Sequence, residues 1–171
     1  MKKSNIAIIV IIVVLIALIA IISAINKSGT LTLSGDNALL VRASEKTLRE
    51  YTVEEIKSFP PIEVYKRISS SKGEDEEGVF TGVPLETLLS DAIPDWSDKY
   101  TEFVFTGSDG FTSAAFASDV EKGENVLIVY AKDGEDLSGP DAGGKGPLRV
   151  VIVDDPFGNR STYLLMSIEA K

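Results

Sequence analysis

The alternation of apolar and polar positions divides the chain into two unlike parts. Residues 6–25 are apolar except for Ser23 and carry no charge. At helical rise such a run matches the ~30 Å hydrocarbon core of a bilayer, so it predicts one transmembrane helix. The rival is a cleaved signal peptide and a secreted product. A signal peptide has an apolar region of roughly 7–15 residues and a small-x-small cleavage site. Here the run is longer, and Ile22 stands where a small residue is wanted. The expectation is an uncleaved anchor, 1–27, followed by one domain, 28–171. Lys2 and Lys3 precede the span and only Lys27 follows closely, which places the N-terminus in the cytoplasm and the domain outside.

Beyond the anchor the periods are short. Residues 31–34 and 38–41 alternate around a Gly35-Asp36-Asn37 turn and predict a hairpin. Thr52 followed three residues later by Glu55 is a capping box, so a short helix runs to about Ser58 and stops at Pro60-Pro61. Residues 62–68 (IEVYKRI) read as a strand with Ile62, Val64, Lys66 and Ile68 on one face. The run SSSKGEDEEG (69–78) reads as a solvated loop. Leu85, Leu88, Leu89 and Ala92 recur at helical spacing behind Pro84. Strands are predicted at 101–106, 111–116, 126–131, 148–153 and 161–168, with a turn at Ser108-Asp109-Gly110, a helical turn at 118–122 and another turn at 156–159. The run 126–131 (VLIVYA) is apolar almost throughout, as in a strand covered on both faces. The class is α+β and strand-rich, with seven to nine strands and two or three short helices, not in strict βαβ alternation.

Composition narrows the chemistry. Lys2, Lys3 and Lys27 belong to the anchor, which leaves 14 basic against 26 acidic side chains, a net charge of about −12 on the domain. Such a surface repels phosphates, so nucleic acid binding is disfavoured. The chain has neither Cys nor His. That excludes a disulfide framework, lipoprotein processing, a thiol nucleophile, thiolate ligation and a Ser-His-Asp triad, and removes the commonest metal ligand.

The stretch 139–155, GPDAGGKGPLRVVIVDD, imitates a nucleotide site through Gly139, Gly144 and Lys145. Gly146 stands where a magnesium-holding hydroxyl is needed, and Pro147 opens a strand rather than the helix whose amides would cradle phosphate. Asp154 follows Lys145 too closely for a helix and returning strand to intervene. Ser69 and Lys72 match the Ser-x-x-Lys pattern of penicillin-interacting enzymes, but a turn follows and no further motif does. Asp133, Glu135, Asp136 and Asp141 do not have EF-hand spacing.

Four pieces recur in a familiar order: FTGVPLETLL (80–89), VFTGSDGFTSAAF (104–116), VLIVYAKDGEDL (126–137) and GKGPLRVVIVDDPFGNRSTYLLMSIE (144–169). Together they resemble the oxidoreductase molybdopterin-binding domain, the catalytic domain of sulfite oxidases and related enzymes, over about residues 30–171. The resemblance implies that fold. It places Asp109 and Gly110 at the family's D-G beside the cofactor, and Arg149 at the arginine of P-L-R that contacts the pterin. Arg160 falls where the family has a basic residue in its final segment, and Gly144, Lys145 and Gly146 become pocket wall. The departures lie at the metal. The family's molybdenum is held by a Cys just after the strand matching 62–68, where this chain offers Ser69, Ser70 and Ser71. A serine does not reproduce a soft thiolate donor. Lys132 replaces an Asn, and Tyr163 stands at a family lysine.

The resemblance therefore implies the fold without its metal centre. The expected function is a membrane-anchored extracytoplasmic module for a small anionic ligand or a membrane protein partner. It would have no redox chemistry of its own, although molybdopterin itself remains a possible ligand. The alternatives are a molybdopterin-dependent oxidoreductase with serine as metal ligand, and an accessory subunit of a membrane redox complex. Arg149 also has a plainer reading, an ion pair with one of the many nearby acids.

Overall fold

The computed structural model describes residues 11–19, 38–44, 46–69 and 75–171. The chain divides into two units, Met1–Thr32 and Leu33–Lys171. In the first, residues 11–19 are helical. No helix among the described residues is long and apolar enough to cross a membrane. The rest of the expected span 6–25 lies outside the described residues, as does the expected strand 31–34.

The described residues of the second unit form ten strands: β1 (Leu39–Ala43), β2 (Lys46–Tyr51), β3 (Ile62–Ile68), β4 (Glu76–Pro84), β5 (Glu102–Gly107), β6 (Thr112–Phe116), β7 (Val126–Lys132), β8 (Glu135–Asp136), β9 (Arg149–Ile152) and β10 (Leu165–Ala170). Four short helices accompany them: α1 (Val53–Ser58), α2 (Leu85–Ala92), α3 (Trp96–Lys99) and α4 (Ala117–Val120). Single 3-10 turns lie at Pro140–Ala142 and Gly158–Arg160. The class is the expected α+β, with more short elements than the apolar periods indicated.

One sheet has the order β2-β1-β10-β5-β6, with β1 and β10 parallel and the other pairs antiparallel. The second has the order β3-β4-β7, and both β8 and β9 pair with β7. Strand β1 forms a hairpin with β2 and has β10 as its other neighbour.

Strand β7 explains how the core is laid out. Val126 and Ile128 join the main core with Phe103, Phe105, Leu88, Val150 and Ile168, drawn from both sheets. Leu127 and Val129 point the other way, into a smaller cluster with Ile68, Phe80 and Val151. Covering on both faces is why this strand is an unbroken apolar run. The register carries the same division into β9: Val150 and Ile152 face the main core, and Val151 faces the smaller cluster. Arg149 opens β9 on the Val151 side, because side chains alternate along a strand.

The capping box forms as the sequence requires. Glu55 N–H donates to Thr52 Oγ1 at 3.1 Å, and Thr52 N–H donates to Glu55 Oε2 at 2.8 Å. Thr52→Ala should lower stability by about 1 kcal/mol in urea unfolding, and Thr52→Ser should recover most of it. In β3 the face holding Ile62, Val64, Lys66 and Ile68 is the inward one. Lys66 fits there because its ammonium donates to the carbonyls of Val153 and Asp155 while its stem covers apolar surface.

Candidate functional site

Strand ends deliver one cluster of charges and rings. Arg149 begins β9, Glu76 begins β4 and Lys132 ends β7. Tyr163 stands just before β10, and Lys145 lies in the loop entering β9. That loop is fastened to the Tyr163 turn by Leu164 N–H donating to the Lys145 carbonyl at 2.9 Å. Gly107 admits the turn closely, since a Cβ there would meet the Tyr163 carbonyl at 2.6 Å.

Arg149 is 2% exposed. Its Nη1 donates to both carboxylate oxygens of Glu76, at 2.9 and 3.1 Å. Its guanidinium carbon lies 4.2 Å from the ring centre of Tyr163 and 5.1 Å from that of Phe80. Glu76 also accepts from Tyr163 Oη at 3.0 Å and pairs with Lys132 Nζ at 3.3 Å. Lys145 Nζ lies 4.9 Å from the Tyr163 ring centre. Burial pushes the Glu76 carboxyl up, but the Arg149 charge, the hydrogen bonds from Arg149 and Tyr163, and the Lys132 charge outweigh it and hold it below the usual carboxylate range. Burial raises the Tyr163 phenol, opposed by Arg149 and assisted by the Glu76 charge. Both Nε and Nη2 of Arg149 are buried without a hydrogen-bond partner.

Beside this cage is a cleft of about 400 Å³ lined by Asp109, Phe111, Gly158, Asn159, Ser161 and Tyr163. The Ser108-Asp109-Gly110 turn forms as expected. Phe111 N–H donates to Asp109 Oδ1 at 3.0 Å, and Gly110 takes φ +82°. Tyr163 belongs to both the cage and the cleft wall. Apolar lining with a few polar groups is the general character of a small-molecule site.

The expected site residues therefore fall into three sets. Arg149, Lys145 and Asp109 gather around Tyr163. Arg160 is committed elsewhere: its Nη1 meets Asp119 at 2.6 Å and its Nε meets Asp155 at 2.7 Å, fastening α4 to the segment after β9. Gly144 and Gly146 approach the chain rather than open space. A Cβ on Gly144 would run into the Ser138 carbonyl, and one on Gly146 would lie 2.5 Å from Leu137 Cβ. Glu76 and Phe80 were not anticipated. Glu76 sits in an all-polar run, and Phe80 opens the FTGVPLETLL piece with nothing in its neighbours to mark a site.

The donor set does not fit the metal group of the resembling family. The sequence supplies no thiolate or imidazole, and no group of metal-binding side chains is found among the described residues. Of Ser69, Ser70 and Ser71, only Ser69 is among the described residues, and its backbone is bridged to Phe157. The two arginines matched to the cofactor face carboxylates of this chain instead.

Comparison with known proteins agrees with the architecture. The family model for the oxidoreductase molybdopterin binding domain matches residues 35–171. The chain is similar to the sulfane dehydrogenase SoxCD of Paracoccus pantotrophus, with TM-score 0.63 and 20% identity, over 83% of this chain and 40% of that one. This chain thus spans well under half of that structure, and at this identity the likeness speaks for the fold. No curated protein gives a sequence match.

Proposed function

This chain belongs to the oxidoreductase molybdopterin-binding domain family, and from that premise we propose that it serves as a ligand-binding or interaction module without a redox centre of its own. The observation that carries this reading is the state of Arg149. The arginine matched to the pterin contact is buried against Glu76 and stacked between Phe80 and Tyr163. A phosphate-bearing cofactor needs several cationic donors. Here Arg149 and Arg160 are already neutralised from within, and the sequence offers no Cys to hold molybdenum.

The proposed binding place is the cleft between Asp109, Phe111 and Tyr163, with Lys145 on the Tyr163 ring as the cation available to a small anionic ligand. The same proposal places the module outside the cell membrane, tethered through residues 6–25, where a membrane protein is the natural macromolecular partner. The apolar run and the lysines before it support this.

Full-length protein purified in detergent from its native host should contain molybdenum and releasable pterin at far below one per chain, by elemental analysis and by fluorescence of the oxidised pterin. One equivalent of each, lost when Ser69, Ser70 and Ser71 are changed to Ala, would instead establish a molybdenum enzyme with an oxygen ligand.

A further inference from the structure

Three donors converge on one carboxylate in the cage. Arg149 Nη1, Lys132 Nζ and Tyr163 Oη all lie within 3.3 Å of Glu76 oxygens. Donors arriving from β9, from β7 and from the turn before β10 make a cradle for an oxyanion, and the carboxylate in it belongs to the chain itself. Arg149 and Lys132 both pair with Glu76, so two cations share this one carboxylate in a protein of net charge −9. Arg149 also keeps two buried nitrogens, Nε and Nη2, without an acceptor. A buried guanidinium with unused donors is costly to maintain, because each unsatisfied N–H forgoes its hydration. A tetrahedral oxyanion has four acceptor oxygens where a carboxylate has two, so it suits this donor set better than Glu76 does.

We propose that Arg149, Lys132 and Tyr163 form an oxyanion site for phosphate-like groups whose resident occupant is the side chain of Glu76. The site is closed in the chain as it stands. Any phosphate-bearing group must displace Glu76 to reach Arg149, and neutralising Glu76 opens the site. Glu76 is well placed for this role. It is the first residue of β4, and its side chain is 28% exposed, so it covers the buried guanidinium from the solvent side. The inference shares Tyr163 with the cleft proposed above but does not depend on which ligand the cleft binds.

The probe is inorganic phosphate, added to the full chain in neutral detergent against chloride of equal ionic strength. The control is needed because phosphate also stabilises proteins generally, by exclusion from their surfaces. Glu76→Gln should show a saturable rise in Tm with phosphate, about 4 °C at a tenfold excess over its Kd. The wild-type chain and the Glu76→Gln/Arg149→Met double variant should show only the small unsaturable rise. Equal behaviour of wild type and Glu76→Gln would overturn the proposal. So would a Glu76→Gln chain that stays unfolded in phosphate while the double variant folds. In the unaltered protein the Nε–Hε resonance of Arg149 should stay in place as phosphate is added, and a saturable movement of it would show that Glu76 does not close the site.

Discussion

Arg149→Met should lower the stability of the domain by about 3–5 kcal/mol, among the largest effects of any single replacement in the chain. Two losses combine. Glu76 keeps Lys132 and Tyr163 but loses its strongest partner, leaving a half-buried carboxylate with less compensation. The stacking of the guanidinium between Phe80 and Tyr163 also disappears. Equilibrium urea unfolding measures the sum. Adding Glu76→Gln to Arg149→Met should restore much of the loss, because the double variant removes the stranded charge, and a paired deletion is typically far milder than a single one. A double variant as weak as the single one would mean that the stacking, and not the charge pair, carries the effect.

The same replacement has a pH signature. The folded-state pKa of Glu76 lies below its ordinary value of 4.5: burial works upward, but the charge and hydrogen bonds of Arg149, with Tyr163 and Lys132, work further downward. A lowered carboxyl pKa contributes stability that is fully present above the ordinary value and is lost as pH falls through the folded value. The gap between wild type and Arg149→Met should therefore be flat above about pH 5 and narrow below it as Glu76 protonates. It should not close entirely, since the aromatic stacking of Arg149 does not titrate.

How much of this was legible in the sequence follows from what each element buries. Strand β3 and helix α1 have the bounds that their patterns gave, because each shows one apolar face or a complete cap to solvent-accessible sequence. Strand β2 gave no signal, since most of KTLREY is exposed and its pairing with β1 is made by backbone. Glu76 was hidden differently. In Glu76-Glu77-Gly78 burial alternates as in any strand, but the residues are all polar or without a side chain, so a hydrophobic period cannot show it. The Arg149 ion pair was foreseeable as a type and not as a partner. Glu76 lies 73 positions away, and only the antiparallel register of β4, β7 and β9 brings it there. The resemblance makes Gly144 and Gly146 of the glycine loop part of a pocket wall. They instead leave room for Ser138 and Leu137 of the same chain, a close approach that glycine serves equally well and that sequence alone does not distinguish.

Phe103→Ala should also cost about 3–5 kcal/mol, by a mechanism unrelated to charge. Phe103 is fully buried in β5, where its register partners are Ala170 on β10 and Ala115 on β6. Small residues on both sides mean that the ring fills the space of three positions, and neither alanine can extend into the cavity left behind. Its other neighbour is Trp96 of α3, met edge to face with ring centres 5.5 Å apart at 71°. Losing that pair removes roughly a further 0.5–1.5 kcal/mol of specific contact and loosens the indole. Because Trp96 is the chain's single tryptophan, the effect has its own optical readout. The folded variant should show weaker near-ultraviolet circular dichroism and a red-shifted emission, alongside the lower urea midpoint. Phe103→Leu should retain more than half of the lost stability. Phe111→Ala is the matched contrast: that ring is 45% exposed on the cleft wall, so its removal should change stability by no more than about 0.5 kcal/mol. A large loss from Phe111→Ala would mean that the cleft wall is part of the packed core rather than a surface open to a ligand, and the cleft would then have to be abandoned as the binding place.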